Sequence, residues 1–167
     1  RAKFTFKSGF AEGSNIALKV KDITITNAHK VGTITLDGEN LPYVWTVVEG
    51  TTEAPNTFAR NFGNAGTGTN YAPQVSATTA HYYLIPVEEA NFNIEFKVDL
   101  YQAGVLLQEN IAKTVNVAGL DMRRGYSYEF KAELNASNSS DTPLEAIEFK
   151  VTGVKDWEEY TDVNANN

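Results

Sequence analysis

Two histidines, His29 in "NAHK" and His81 in "TAHYY", are the chain's only near-neutral proton carriers. A histidine becomes a general base only when a nucleophile or carboxylate stands beside it. These two fall in unrelated contexts, a turn and a strand start, and each reads as a polar surface residue. A hydrolase would need one of them within hydrogen-bond reach of a carboxylate in a cleft. No G-x-S-x-G or H-E-x-x-H pattern is present. Gly63, Gly66 and Gly68 run G-x-x-G-x-G with no Lys-Ser or Lys-Thr after them, so they do not form a phosphate cradle. Glu88 and Glu89 adjoin in a turn after Pro86, and Asp156, Glu158 and Glu159 surround Trp157. Sequence neighbours on an extended chain point to opposite faces, so these carboxylates do not converge as an acid and base pair. Asp162, Asn164 and Asn166 begin like a calcium loop but lack its glycine and bidentate glutamate. The chemistry-bearing residues therefore predict no catalytic residue, no metal site and no cofactor. Arg123 and Arg124 could bind an acidic partner, although two adjacent cations before a strand also make an ordinary solvated turn. Asn135 and Asn138 both fit N-x-[ST], which predicts only that "NASNSSDTP" is an exposed loop.

The elements that must position such residues follow from composition and period. At 167 residues the chain is the size of one ordinary domain, able to bury a core without staples. Its 14 Lys and Arg against 21 Asp and Glu give a formal charge of −7, which disfavours nucleic acid or an anionic membrane as partner. There is no cysteine, so disulfides, thiolate metal sites and cysteine nucleophiles are excluded. No apolar run reaches the ~20 residues that a membrane-spanning helix needs. The opening "RAKFTF", with neither Met nor an apolar leader, reads as a processed or trimmed end.

Period two dominates the sequence. In "FNIEFKVDLY", Phe92, Ile94, Phe96, Val98 and Leu100 alternate with Asn93, Glu95, Lys97 and Asp99, the pattern of a strand with one wet face. "QAG" supplies a turn, and Ile111, Lys113, Val115 and Val117 share one face of the return strand. "GYSYEFKAEL" and "IEFKVTGV" add two more strands, four in all from residue 92 onward. Upstream, "KFTFK", "NIALKVKDITIT", "GTITLDG", "YVWTVV" and "HYYLIPV", the last stopped by Pro86, read as strands. Leu18 and Val20 share a parity that Ile23 and Ile25 reverse, which predicts a bulge near Lys21 and Asp22. Between Glu49 and Ala80 a polar stretch reads as a long surface excursion. The expected fold is all-β: an antiparallel β-sandwich of seven to nine strands, one domain over residues 1–160 with a disordered tail at 161–167.

The order of a "LIP" strand, a long alternating strand, the G-Y-x-Y strand and a last strand running into V-x-x-W resembles the C-terminal domain of the fimbrillin family of Bacteroides-type surface proteins. The opening "VKDITITNAHKVGTITLDG" is similar to the family's first strands. The resemblance implies a transthyretin-like, Greek-key sandwich at the bacterial cell surface or outer membrane. It also implies export as a lipoprotein whose lipid anchor and N-terminal sandwich are absent from this chain. In that family, subunits form homo- or hetero-polymers by donor-strand exchange, and a host or bacterial surface receptor is a further possible partner. Main-chain hydrogen bonds give such strand addition its affinity, and alternating side chains give it register. Ile147, Phe149, Val151, Val154 and Trp157 are then the side chains that either complete this domain or insert into a neighbour.

Two functions are compatible with this reading. The first is a non-enzymatic fimbrial subunit or tip adhesin. The second is a carbohydrate-binding sandwich, which requires three of Trp45, Tyr82, Tyr83, Tyr126 and Tyr128 to lie coplanar with their rings more than half exposed on one face. The alternation of "GYSYEFKAEL" continues through Ala132 and Leu134, which favours a core-facing row.

Overall fold

The computed structural model describes residues 1–11, 13–29, 31–36, 43–47, 72–73, 83–140 and 146–155. Within them the chain forms nine strands and no helix. The longest pair is the hairpin of β6 (Ala90–Gln102) and β7 (Val105–Leu120). Its alternation is as expected: Phe92, Ile94, Phe96 and Val98 are buried, and Asn93, Glu95 and Lys97 are partly exposed. Gln102 pairs with Val105 across a two-residue turn, in which Ala103 (φ 48°) and Gly104 (φ 80°) both have positive φ. That mirror-image turn carries the twist that two antiparallel strands require.

β2 (Ile16–Thr26) pairs antiparallel with the other edge of β6. Leu18, Val20, Ile23 and Ile25 are all buried although their parity changes midway. The change is absorbed where expected: the register shifts between Lys21 and Thr24, and Asp22 sits at φ 54°. A one-residue insertion returns the apolar side chains to the same face.

The second sheet has the order β5 (Ala72–Pro73), β1 (Ala2–Ser8), β8 (Tyr126–Leu134), β9 (Lys150–Lys155). β1 and β8 are parallel, from Ala2 beside Tyr128 to Ser8 beside Leu134, a departure from the all-antiparallel expectation. A parallel pair cannot come from a hairpin and needs a long crossover, here most of the chain. β3 (Gly32–Leu36) and β4 (Tyr43–Val47) form a separate antiparallel ribbon.

The two larger sheets face each other. Phe6 of β1 lies 5.0 Å, between ring centroids, from Phe96 of β6, and Phe92 of β6 lies 6.1 Å from Phe130 of β8. Phe149 stands among four rings: Phe4 at 6.0 Å, Phe6 at 5.7 Å, Phe96 at 6.3 Å and Phe130 at 6.1 Å. Their apolar residues form one continuous core. Burying each large side chain contributes about 1.5–3 kcal/mol, and the edge-to-face ring contacts add to it. The outer face of the second sheet is charged: Lys7 pairs with Glu133 at 2.7 Å, and Lys131 with Glu129 at 3.3 Å.

Two strand assignments change. Residues 83–87 of "HYYLIPV" are irregular chain, because Pro86 has no N–H for a ladder and the Val87 carbonyl instead accepts the Met122 N–H at 2.9 Å. The last strand begins at Lys150, so Ile147 and Phe149 pack on the core from an irregular lead-in. The polar excursion falls outside the described residues apart from Ala72–Pro73, and the tail at 161–167 lies outside them altogether.

Candidate functional site

β7 is the outer strand of its sheet, with β6 its only strand partner among the described residues. No backbone hydrogen bond reaches its other edge from a turn or loop among those residues. Beside that edge runs a trough of about 380 Å³. Val115, Val117 and Leu120 form one wall, and Ile147, Phe149 and Val151 form the other. Among the described residues β7 and β9 end their sheets, and the lead-in to β9 packs on the core without pairing with β7, which leaves the trough between them. A strand edge without a strand partner among the described residues, over an apolar floor, is the chemistry that receives an extended chain.

Lys113, in the core-facing row of β7, is buried, and its Nζ donates to the Ser140 carbonyl at 2.5 Å. An inward charge on an edge strand opposes indiscriminate pairing there. A second polar anchor fixes β7 farther along. Asp99 is buried, its Oδ2 accepting from Lys21 Nζ at 2.7 Å and its Oδ1 from the Asn110 N–H at 2.8 Å. Burial alone pushes its carboxyl up. The bonds from Lys21 and Asn110, with the Lys21 and Lys19 charges, outweigh burial and hold it below the usual carboxylate range. The same hydrogen bond raises Lys21 above the ordinary lysine value, against the opposing effect of burial. Asn110 has φ 57°, at the point where the β6–β7 register shifts, so this cluster pins the irregularity that aligns the rest of β7.

Among the expected strand-exchange residues, Ile147 is buried and Phe149 and Val151 are partly buried against the core. β9 pairs with β8 of its own chain, from Tyr126 beside Lys155 to Lys131 beside Lys150. The backbone of Val154 lies in β9, its side chain falling outside the described part, and Trp157 lies outside the described residues.

The stacking candidates do not assemble into a platform among the described residues. Tyr128 is 7% exposed, its hydroxyl donating to the Asp121 carbonyl at 3.2 Å and accepting the Arg123 N–H at 2.6 Å. Tyr126 is half-buried and stacks on Tyr128 at 6.2 Å. Tyr83 is 69% exposed and belongs to neither strand. Tyr82 and the Trp45 side chain lie outside the described part, as does His81.

His29 is half-buried and not the solvated residue expected. Its Nδ1 is inaccessible and has no hydrogen-bond partner among the described residues. Glu88 and Glu89 are exposed in a turn, as their sequence position predicts. Among the described residues no three His, Cys, Asp or Glu side chains are grouped to hold a metal ion. The "NASNSS" loop is less open than its composition predicts. Asn138 is buried, its Nδ2 donating to the Glu133 carbonyl at 3.0 Å and its Oδ1 accepting the Asn135 N–H at 2.9 Å.

No protein-family model matches this sequence, and no curated protein matches it. Structural comparison does find neighbours. A fimbrial protein from Bacteroides vulgatus superposes with a TM-score of 0.58 at 14% identity, over 90% of this chain and 52% of that one. A candidate cell adhesion protein from Parabacteroides distasonis gives 0.41 at 14% identity over 91% and 50%, and another from Bacteroides eggerthii gives 0.31 at 15% over 91% and 54%. The chain spans about half the length of the solved structures it matches. At such identity the first likeness establishes the fold, which is the one the resemblance implied.

Proposed function

We propose that this chain is a non-enzymatic domain of a bacterial cell-surface fimbrial subunit or adhesin, and that β7 with its trough accepts an extended strand from a partner subunit. The observation that carries the reading is the β7 edge, which has no strand partner among the described residues, beside the apolar trough of Val115, Val117, Leu120, Ile147, Phe149 and Val151. A strand laid against β7 would hydrogen-bond along its outer edge, and alternate side chains would enter the trough. Phe149 and Ile147 remain with their own core, so the domain folds first and accepts the strand second. The fold shared with the Bacteroides vulgatus fimbrial protein supports surface assembly as the setting.

The test is electrophoresis, without boiling, of the protein recovered from the surface of cells that express it with its assembly partners. A ladder of multimers is expected, and Val115→Lys, which places a charge on a half-buried trough wall, should remove it while the monomer stays folded. Recovery of monomer alone contradicts the reading, and so does a ladder that Val115→Lys leaves intact.

A further inference from the structure

A second cavity, of about 410 Å³, lies where the chain enters β8. That is the lower part of the size range of sites for single small molecules. Leu84 and Met122 give it apolar walls, and Tyr126 contributes a half-exposed ring. Arg1, Arg123 and Arg124 line it, with no Asp or Glu among the described lining residues. The Arg123 guanidinium is exposed and has no ion pair or hydrogen bond among the described residues, and the Tyr126 hydroxyl has no partner there either. The position of Arg123 is nevertheless fixed, because its N–H donates to the Tyr128 hydroxyl at 2.6 Å and that hydroxyl is anchored on the Asp121 carbonyl at 3.2 Å. The held backbone fixes the root of the Arg123 side chain at the cavity mouth, and its guanidinium, without an ion pair or hydrogen bond among the described residues, can pair with a carboxylate through two hydrogen bonds.

We propose that this cavity binds an acidic monosaccharide unit, its carboxylate on Arg123 and the apolar face of its ring against Tyr126 and Met122. An acidic sugar meets each feature of the lining. Arginine takes a planar carboxylate through two parallel hydrogen bonds, an aromatic ring covers the C–H face of a pyranose, and the Tyr126 hydroxyl reaches a sugar hydroxyl. A peptide bound along its backbone would need an extended groove and a strand edge, and this cavity supplies neither. The site is independent of strand addition at β7, with which it shares no lining residue.

The test is an NMR titration of the intact, 15N-labelled chain with sodium glucuronate, with glucose and benzoate as comparators. Glucuronate should shift the amide signals of residues 122–126 saturably, glucose should not at equal concentration, and Arg123→Ala should weaken glucuronate binding about tenfold or more. Arg123→Ala removes an exposed side chain without bonds to the described residues, and the spectrum of the free variant verifies its fold. Val115→Lys should leave the glucuronate response unchanged, which separates failure of this site from failure of the trough. The proposal is overturned by no saturable shift with glucuronate, by an equal response to glucose, by binding of benzoate alone, or by undiminished affinity in Arg123→Ala.

Discussion

Replacing Phe149 by alanine tests whether the lead-in to β9 belongs to this domain's core. The Phe149 ring lies within 6.3 Å of the rings of Phe4, Phe6, Phe96 and Phe130, which belong to both large sheets, so its loss opens a gap between the sheets. Truncating a core phenylalanine costs about 3–5 kcal/mol. Phe149 is partly buried, which sets the expectation at the lower end, about 3 kcal/mol. For a domain of this size each kcal/mol lowers the melting temperature by about 2–4 °C, so a drop of roughly 6–12 °C is expected. Phe149→Leu keeps most of the volume and should recover more than half of the loss. Thermal and urea unfolding followed by circular dichroism measure both, with an unchanged urea slope marking a pure stability effect. Tyr83→Ala, at a 69% exposed ring, serves as the reference and should change stability by no more than about 0.5 kcal/mol. A Phe149→Ala melting temperature within about 2 °C of the parent would refute the packing of this segment between the sheets.

Two further outcomes follow from local geometry. Asp99→Asn should destabilise the chain by about 1–3 kcal/mol near neutral pH, since it removes the charge that Lys21 and the Asn110 N–H meet. Because the folded Asp99 carboxyl is held below its ordinary value, its contribution is complete above about pH 4 and is lost as pH falls through the depressed value. The stability difference between parent and Asp99→Asn should therefore narrow in acid denaturant titrations, and a constant difference down to low pH would contradict the assignment. Ala103→Gly should stabilise the β6–β7 hairpin by about 0.5–1 kcal/mol, because alanine occupies φ 48° there, and a lowered melting temperature would contradict the turn geometry.

The sequence was most informative where side chains report local geometry. The alternation of β6, the turn at Ala103 and Gly104, and the bulge at Asp22 all follow from short-range periodicity, since a one-residue parity change must bend or bulge a half-buried strand. The parallel pairing of β1 with β8 was not legible, because it joins distant parts of the chain and no local signal encodes the partner. "HYYLIPV" read as a strand on composition, but Pro86 and the bond from Met122 to Val87 decide its path. The site was half legible. Ile147, Phe149 and Val151 were singled out as apolar, yet their role as one wall of a trough depends on which strand lies opposite them. Alternation puts Val115 and Val117 on one face of β7, but the position of that strand at a sheet edge is a property of topology alone. For Arg123 the sequence leaves open an acidic partner or a solvated turn, and the hold of the Tyr128 hydroxyl on its backbone beside a cavity is a property of the fold alone.

Strand addition at β7 is tested most directly by amide hydrogen exchange along Val105–Leu120 with and without a synthetic peptide spanning residues 147–159, used as an alternating probe strand. In the chain alone, alternate β7 amides, those not bonded to β6, should exchange rapidly, and saturating peptide should slow them by an order of magnitude or more. Uniform protection of β7 in the chain alone, or exchange that saturating peptide leaves unchanged, would contradict the account.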